Sequence, residues 1–390
     1  MRKGKYFLLL CMIILAFALV GCNNMSDKSS DSSEVSQTTS AIVPETTIPE
    51  ETAKATSTPA PTSSPVVTTK AVDLYGQLQV VGTNLCDETG APVVLKGMST
   101  HAIQYTDTYY NEEIFKTLAQ DWGCTVIRLA VYTEEGGYID NPDRYYESTC
   151  KAIDLAVAEG MYVIVDWHIL SDGDPMTHIT ESLDFFQKIS DKYKDCPNII
   201  YEICNEPNSG HADDPAAVVT WADNIKPYAE QVVAVIRDND PDNVIIIGSS
   251  NWSQDVDIAA ADPVEGTNLM YSLHFYAGSH GQELRDKMDA AISLGAAIFV
   301  TEWGTTNNTG AGELYLTESD EWLSYLEEKN ISWCNWSILS SIAESTNALK
   351  FSTNSISFDE KAAGHWPDSM ISNSGLYVRC QILGIPYEES

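Results

Sequence analysis

Beyond residue 92, short apolar runs alternate with longer stretches in which apolar positions recur every three or four residues. Eight such runs stand out: Val93–Gly97, Val126–Ala130, Tyr162–Asp166, Ile199–Ile203, Val244–Gly248, Met270–His274, Ala297–Thr301 and Ser332–Trp336. Nearly continuous apolar runs rich in β-branched residues fit strands buried on both faces. Between them, Glu112–Trp122, Asp143–Glu159, Ile179–Tyr193, Val219–Arg237, Gln282–Leu294 and Ser319–Lys329 carry helical spacing. This alternation over roughly 320 residues predicts an α/β fold, a (β/α)8 barrel. A hairpin-like segment at 76–97, with Asp87-Glu88-Thr89-Gly90 as its turn, is expected to form the barrel floor. A doubly wound open sheet, the alternative, wants a glycine-rich phosphate turn after its first strand, and LKGMSTHAIQ at 95–104 is not one.

Working residues in such barrels lie at the C-terminal ends of the strands. Polar and aromatic side chains gather there: His101, Arg128, His168, Asn205 and Glu206 on the first four, then Trp252, His274, Tyr276, Glu302 and Trp336. Two stretches, YEICNEPNS at 201–209 and AAIFVTEWGTT at 296–306, each place a glutamate where a buried strand ends. Two carboxylates flanking one site, with aromatic walls and neutral donors, suit glycosidic bond cleavage, in which one is a protonated acid and the other an ionised nucleophile. Arg128 is expected to keep Glu302 charged, and a less charged pocket beside Asn205 and His274 to hold the proton on Glu206. Each residue alone has a plainer reading. Either glutamate suits an ion pair, and Arg128 suits a partner for Asp166; His101 and His168 suit core histidines, while Tyr132, Tyr276, Trp252 and Trp336 suit core aromatics.

The chain opens with Arg2, Lys3 and Lys5, an apolar run from Tyr6 to Val20 and Leu19-Val20-Gly21-Cys22. This predicts a secretory signal over 1–22, and its ending resembles the lipobox of bacterial lipoproteins, in which Cys22 is lipidated. Ser, Thr, Pro and Glu dominate 23–70 without a periodic apolar face, so that segment is expected to be a disordered tether. Residues 71–390 form the globular domain. The formal charge of −34 argues against nucleic acid and anionic polymers as partners and fits a neutral substrate. Seven cysteines, Cys86, Cys124, Cys150, Cys196, Cys204, Cys334 and Cys380, remain once Cys11 and Cys22 are set aside; they are too scattered for a disulfide framework, leave one unplaced bridge open, and lack zinc-ligand spacing.

The stretches DWGCTVIRLAVYTEEGGYI (121–139), VIVDWHIL (163–170), YEICNEPN (201–208), SLHFYAGSHG (272–281), VTEWGTT (300–306) and WCNWSI (333–338) resemble glycoside hydrolase family 5, most of all its bacterial endo-β-1,4-glucanases. The resemblance runs from about Asp73 to the C-terminus. It implies a retaining hydrolase acting inside β-1,4-glucan chains, with Glu206 as acid/base and Glu302 as nucleophile. Asn205 would hold the sugar 2-hydroxyl, Arg128 and Tyr276 would position Glu302, and His274 would stand by Glu206. His101 and His168 would donate to the sugar or the catalytic groups, Trp336 would form its platform, and Tyr132 and Trp252 would wall the cleft. A lysine common near Trp336 is missing from SILSSIAESTNAL at 337–349, where Glu344 remains as a glucose contact, and Tyr105 stands where a tryptophan is common. Mixed-linkage glucan, xyloglucan and mannan are alternative substrates, and a non-catalytic polysaccharide-binding lipoprotein is the alternative of another class. No metal or organic cofactor is expected, and the protein is expected to be a lipid-anchored extracellular monomer.

Overall fold

Each of the eight apolar runs contributes to a strand. In the computed structural model, β1 (Gln79–Val81) and β2 (Asn84–Cys86) form an antiparallel hairpin. β3 (Lys96–Ser99), β4 (Val126–Tyr132), β5 (Tyr162–His168), β6 (Ile199–Glu202), β7 (Val244–Ile247), β8 (Leu269–Tyr276), β9 (Ile298–Gly304) and β10 (Trp333–Trp336) then close into a parallel barrel, with β10 beside β3. The structure describes residues 69–210, 218–340, 345–350 and 358–388. The signal, most of the tether, Cys22 and Glu344 lie outside them.

Alternation along the strands sorts side chains to two cores. Outward residues such as Ile127, Leu129 and Val131 of β4, or Val163, Val165 and Trp167 of β5, pack under the helices. Inward residues at the strand starts, among them Val126, Ile164, Ile200, Ile246 and Phe299, pack against Leu78, Leu85, Val93 and Leu95, so the N-terminal segment plugs the floor as expected. Two details differ from the sequence reading. The hairpin turn is Gly82-Thr83, since Val81 pairs with Asn84, and Gly82 takes the left-handed conformation (φ 62°) that such a turn needs. Asp87–Gly90 instead forms a second turn, leading to a bridge between Cys86 and Pro92. The first barrel strand starts at Lys96 because Val93 donates its N–H to Leu85, away from the barrel.

Helices fill the expected intervals. Pro142–Glu159 opens on proline and stops at Gly160 in a left-handed cap (φ 72°). Thr117–Asp121 and Trp221–Ile225 are wider π-type turns, the second running into Lys226–Asn239, where Pro227 has no N–H to offer. The sequence reading missed the helices Ala71–Tyr75, Ile103–Thr106, Val256–Ala261, Phe358–Ala362 and Asn373–Leu383. All seven domain cysteines are free, and among the described residues no helix is long and apolar enough to cross a membrane.

β9 departs from regular pairing. Ser272 and His274 of β8 face Phe299 and Glu302, and Trp333 and Asn335 of β10 face Val300 and Trp303. Against both neighbours β9 therefore carries one extra residue, a bulge at the mouth of the barrel. Its consequence is that Thr301 and Glu302, adjacent in sequence, both serve the interior.

Candidate active site

Past the apolar floor, the same inward rows become charged. Arg128 is fully buried and fans its guanidinium over four acceptors. Nε donates to Glu202 Oε2 (2.6 Å), Nη1 to Glu302 Oε2 (2.9 Å) and Nη2 to Asn205 Oδ1 (2.7 Å), while Nη2 also pairs with the charge of Asp166, 3.0 Å from its Oδ2. Burial works against its charge, yet Asp166, Glu202 and Glu302 outweigh that cost and hold it well above its ordinary pKa. A planar five-donor fork is the group that can serve so many acceptors at once.

Glu206 follows β6 and is half-buried; Glu302 is 4 % exposed. Oxygens of the two, together with one nitrogen of His274, lie within 4.8 Å of one another. His274 Nδ1 is 2.9 Å from Glu206 Oε1, and Tyr276 donates its hydroxyl to Glu302 Oε1 at 2.9 Å. The Tyr276 ring lies over Gly304, where a Cβ would come within 2.4 Å of it, so glycine is what lets this tyrosine reach Glu302. Burial, and next the Glu206 carboxylate, push Glu302 above its ordinary pKa against the pull of His274, Arg128 and Tyr276. His274 is raised to about 9: burial disfavours its cation, but the nearby carboxylates of Glu202 (3.7 Å) and Glu206 (2.9 Å) prevail. Arg128 contacts Glu302 as expected, while burial and the nearby Glu206 carboxylate raise the Glu302 pKa; the pocket beside Glu206 is not the less charged one expected, since it holds His274, whose own pKa is raised.

The cleft above these groups, of about 340 Å³, is lined by aromatic and polar side chains. Tyr132 stacks on His168 (4.2 Å between centroids), His168 lies parallel to Trp336 (5.3 Å, 11°), and His101 leans on Trp336 (5.0 Å). His168 is neutral: burial, then Arg128, hold it well below the ordinary histidine range, with Nδ1 2.6 Å from Asp166. Trp252 borders the cleft from a left-handed turn, Asn251–Ser253 (φ 56–57°), a costly conformation for these residues. Two bonds to the Glu206 loop hold it, Trp252 N–H to Pro207 O and Ser253 Oγ to Asn205 O.

The structure brings His101, Tyr132, His168, Glu206, Trp252, His274, Tyr276, Glu302 and Trp336 to this one cleft. Arg128 and Asn205 lie beneath its surface; the Asn205 amide donates to Ile169 O at 2.9 Å. Tyr105 is 62 % exposed, outside the lining, and donates its hydroxyl to Glu135 O. Leu170, Gln254, His280 and Asn308 line the cleft and were missed. His280 Nδ1 accepts the N–H of Tyr276 (2.8 Å) and its pKa is lowered by burial, so Nε2–H is a neutral donor. Glu206, His274 and Glu302 also form a grouping with metal-ligand spacing among the described residues. Both ring nitrogens of His274 are already engaged, by Glu206 and Thr301, which leaves it poorly suited as a ligand.

The cellulase model of glycosyl hydrolase family 5 matches residues 86–341. An endoglucanase of Clostridium saccharobutylicum is 48 % identical over 309 residues, 79 % of this chain and 65 % of that one. Endoglucanase A of Evansella cellulosilytica is 47 % identical over 293 residues, covering 75 % and 57 % respectively. This chain thus spans less than two thirds of the length of either relative. Among solved structures, a variant of the catalytic domain of a Thermobifida fusca endoglucanase in complex with cellotetraose superposes with a TM-score of 0.73 at 38 % identity, covering 81 % of this chain and all of that domain.

Proposed function

Because the chain belongs to the cellulase family, glycosyl hydrolase family 5, we propose that it is an endo-acting β-1,4-glucanase that hydrolyses its substrate with retention at the anomeric carbon. The observation that carries this reading is the approach of Glu206 and Glu302 oxygens to within 4.8 Å. Carboxyl groups about 5–5.5 Å apart suit a covalent glycosyl-enzyme, whereas inversion needs roughly 6.5–9.5 Å to admit a water between them. Two carboxylates this close share one proton. Both Glu302 oxygens accept strong donors, Arg128 and the Tyr276 hydroxyl, which favours the anion there and leaves the proton to Glu206.

Glu302 then attacks the anomeric carbon as the glycosidic C–O bond breaks, and Glu206 gives its proton to the leaving oxygen. In the second step Glu206 takes a proton from water, whose oxygen displaces Glu302. The Trp336 and Tyr132 faces suit the apolar face of a sugar ring, and cellotetraose bound by the Thermobifida fusca variant supports a β-1,4-glucan as occupant. Product analysis on carboxymethyl-cellulose, barley glucan, xyloglucan and mannan tests the proposal. Reducing ends should appear from the cellulose derivative with wild type and not with Glu302→Ala. Turnover confined to mannan or xyloglucan would move the specificity; binding without turnover on any of them would make the protein a polysaccharide-binding one instead.

We also infer that Cys22 carries lipid and tethers a monomeric barrel outside the cell, on the strength of Arg2, Lys3, Lys5, the apolar run and Leu19-Val20-Gly21-Cys22. Labelled palmitate should enter the wild-type chain in a bacterial host and not Cys22→Ser.

A further inference from the structure

Behind the cleft runs a hydrogen-bonded chain that the two chemical steps above leave unused. Thr301 Oγ1 donates to Glu202 Oε1 at 2.6 Å and lies 2.8 Å from His274 Nε2, while His274 Nδ1 is 2.9 Å from Glu206 Oε1. Glu202 is ionised, since Arg128 Nε donates to its other oxygen at 2.6 Å and its pKa is lowered. A threonine hydroxyl has one proton to give. With that proton directed at Glu202, the hydroxyl can only accept from His274, so Nε2 must carry hydrogen. Nδ1 is then left to share a proton with Glu206.

We propose that Glu202 and Thr301 are positioning residues for the acid/base step: acting through Nε2 of His274, they fix its tautomer and keep a proton on the His274–Glu206 couple. This rests on the assignment of Glu206 as the acid. When Glu206 protonates the leaving oxygen, the couple is one proton poorer; the proton taken from water in the second step restores it. The groups facing the couple are Glu202 of β6, Glu302 of β9, Asp166 and His168 of β5, Arg128 of β4 and His280 beyond β8; burial raises Asp166 well above the ordinary carboxylate range, and the carboxylates acting on His274 are those of Glu202, Glu206 and Glu302. The raised pKa of His274, about 9, agrees with their proximity. Through its bulge, β9 serves both carboxyl groups, one directly as Glu302 and the other through Thr301.

The test compares kcat/KM against pH for the full-length protein on two aryl β-cellobiosides, one whose leaving group needs a proton and one, 2,4-dinitrophenyl, that departs without it. Thr301→Val is expected to move the basic limb for the first substrate down by about one pH unit, which is about tenfold in rate on the alkaline side. The same variant should change the second substrate little, and Thr301→Ser should keep the wild-type limb. An unmoved limb in Thr301→Val, or an equal loss at every pH on both substrates, would overturn the proposal. Nitrogen-15 spectra of labelled histidines in the wild type decide the matter if the valine variant does not fold: hydrogen on Nε2 of His274 is required, and a bare Nε2 would refute the chain. A wild type inactive on both cellobioside substrates would count against the proposed function, while the spectra would still test the tautomer.

Discussion

The floor and the mouth of the barrel are built from the same inward rows and hold together by different physics. β4 passes from Val126 to Arg128, β5 from Ile164 to Asp166, β6 from Ile200 to Glu202, and β9 from Phe299 to Thr301, each two residues on. At the floor, hydrophobic side chains close on Leu78, Leu85, Val93 and Leu95, an attraction without direction in which near-isosteric neighbours substitute for one another. At the mouth, Arg128, Asp166, Glu202 and Glu302 are held chiefly by one another, so removing the shared cation alone strands several buried carboxylates. One end is tolerant and silent; the other is exacting and does the chemistry.

The comparison is sharpened most by Glu302→Gln. Activity should fall on the order of 10⁴-fold or more, because the amide cannot form the glycosyl-enzyme. Stability should not fall with it. The folded-state pKa of Glu302 is raised by burial and Glu206, so in the wild type its ionisation weakens the fold increasingly as pH rises from the unfolded to the folded value. Chemical denaturation of the variant should therefore show a gain that is absent at acid pH and complete above the folded pKa. A loss of stability at neutral pH would mean that Glu302 is chiefly a partner for Arg128. Next in size is Arg128→Met, which strands Asp166, Glu202 and Glu302 without their cation. A cost of about 3–5 kcal/mol is expected, read as a lowered denaturation midpoint together with lost turnover.

The sequence made the barrel legible because strands buried on both faces leave unbroken apolar runs, and it made the two glutamates legible because each ends such a run. It did not show the bulge. Strict alternation from Phe299 through Thr301 would turn Glu302 outward with Val300, and an extra residue has no period of its own. Glu202 was quoted within YEICNEPN and passed over, although a carboxylate on the inward side of an apolar strand is itself a signal. His280, Gln254 and Asn308 come from loops whose paths no periodicity encodes. That burial and a second carboxylate raise the pKa of Glu302 is likewise invisible along the chain, because depth and through-space neighbours have no period.

The smallest effect belongs to the floor. Ile246 on β7 is fully buried among the hairpin and strand residues there. Ile246→Val removes one methylene and should cost about 0.5–1.5 kcal/mol, visible in the denaturation midpoint. The kcat and pH profile should remain those of the wild type, since no hydrogen bond at the mouth passes through this side chain. The floor variant thus carries the stronger test of the contrast: a shifted basic limb in Ile246→Val would mean that packing below sets the geometry of the charges above, and that the two ends of the barrel are one cooperative unit.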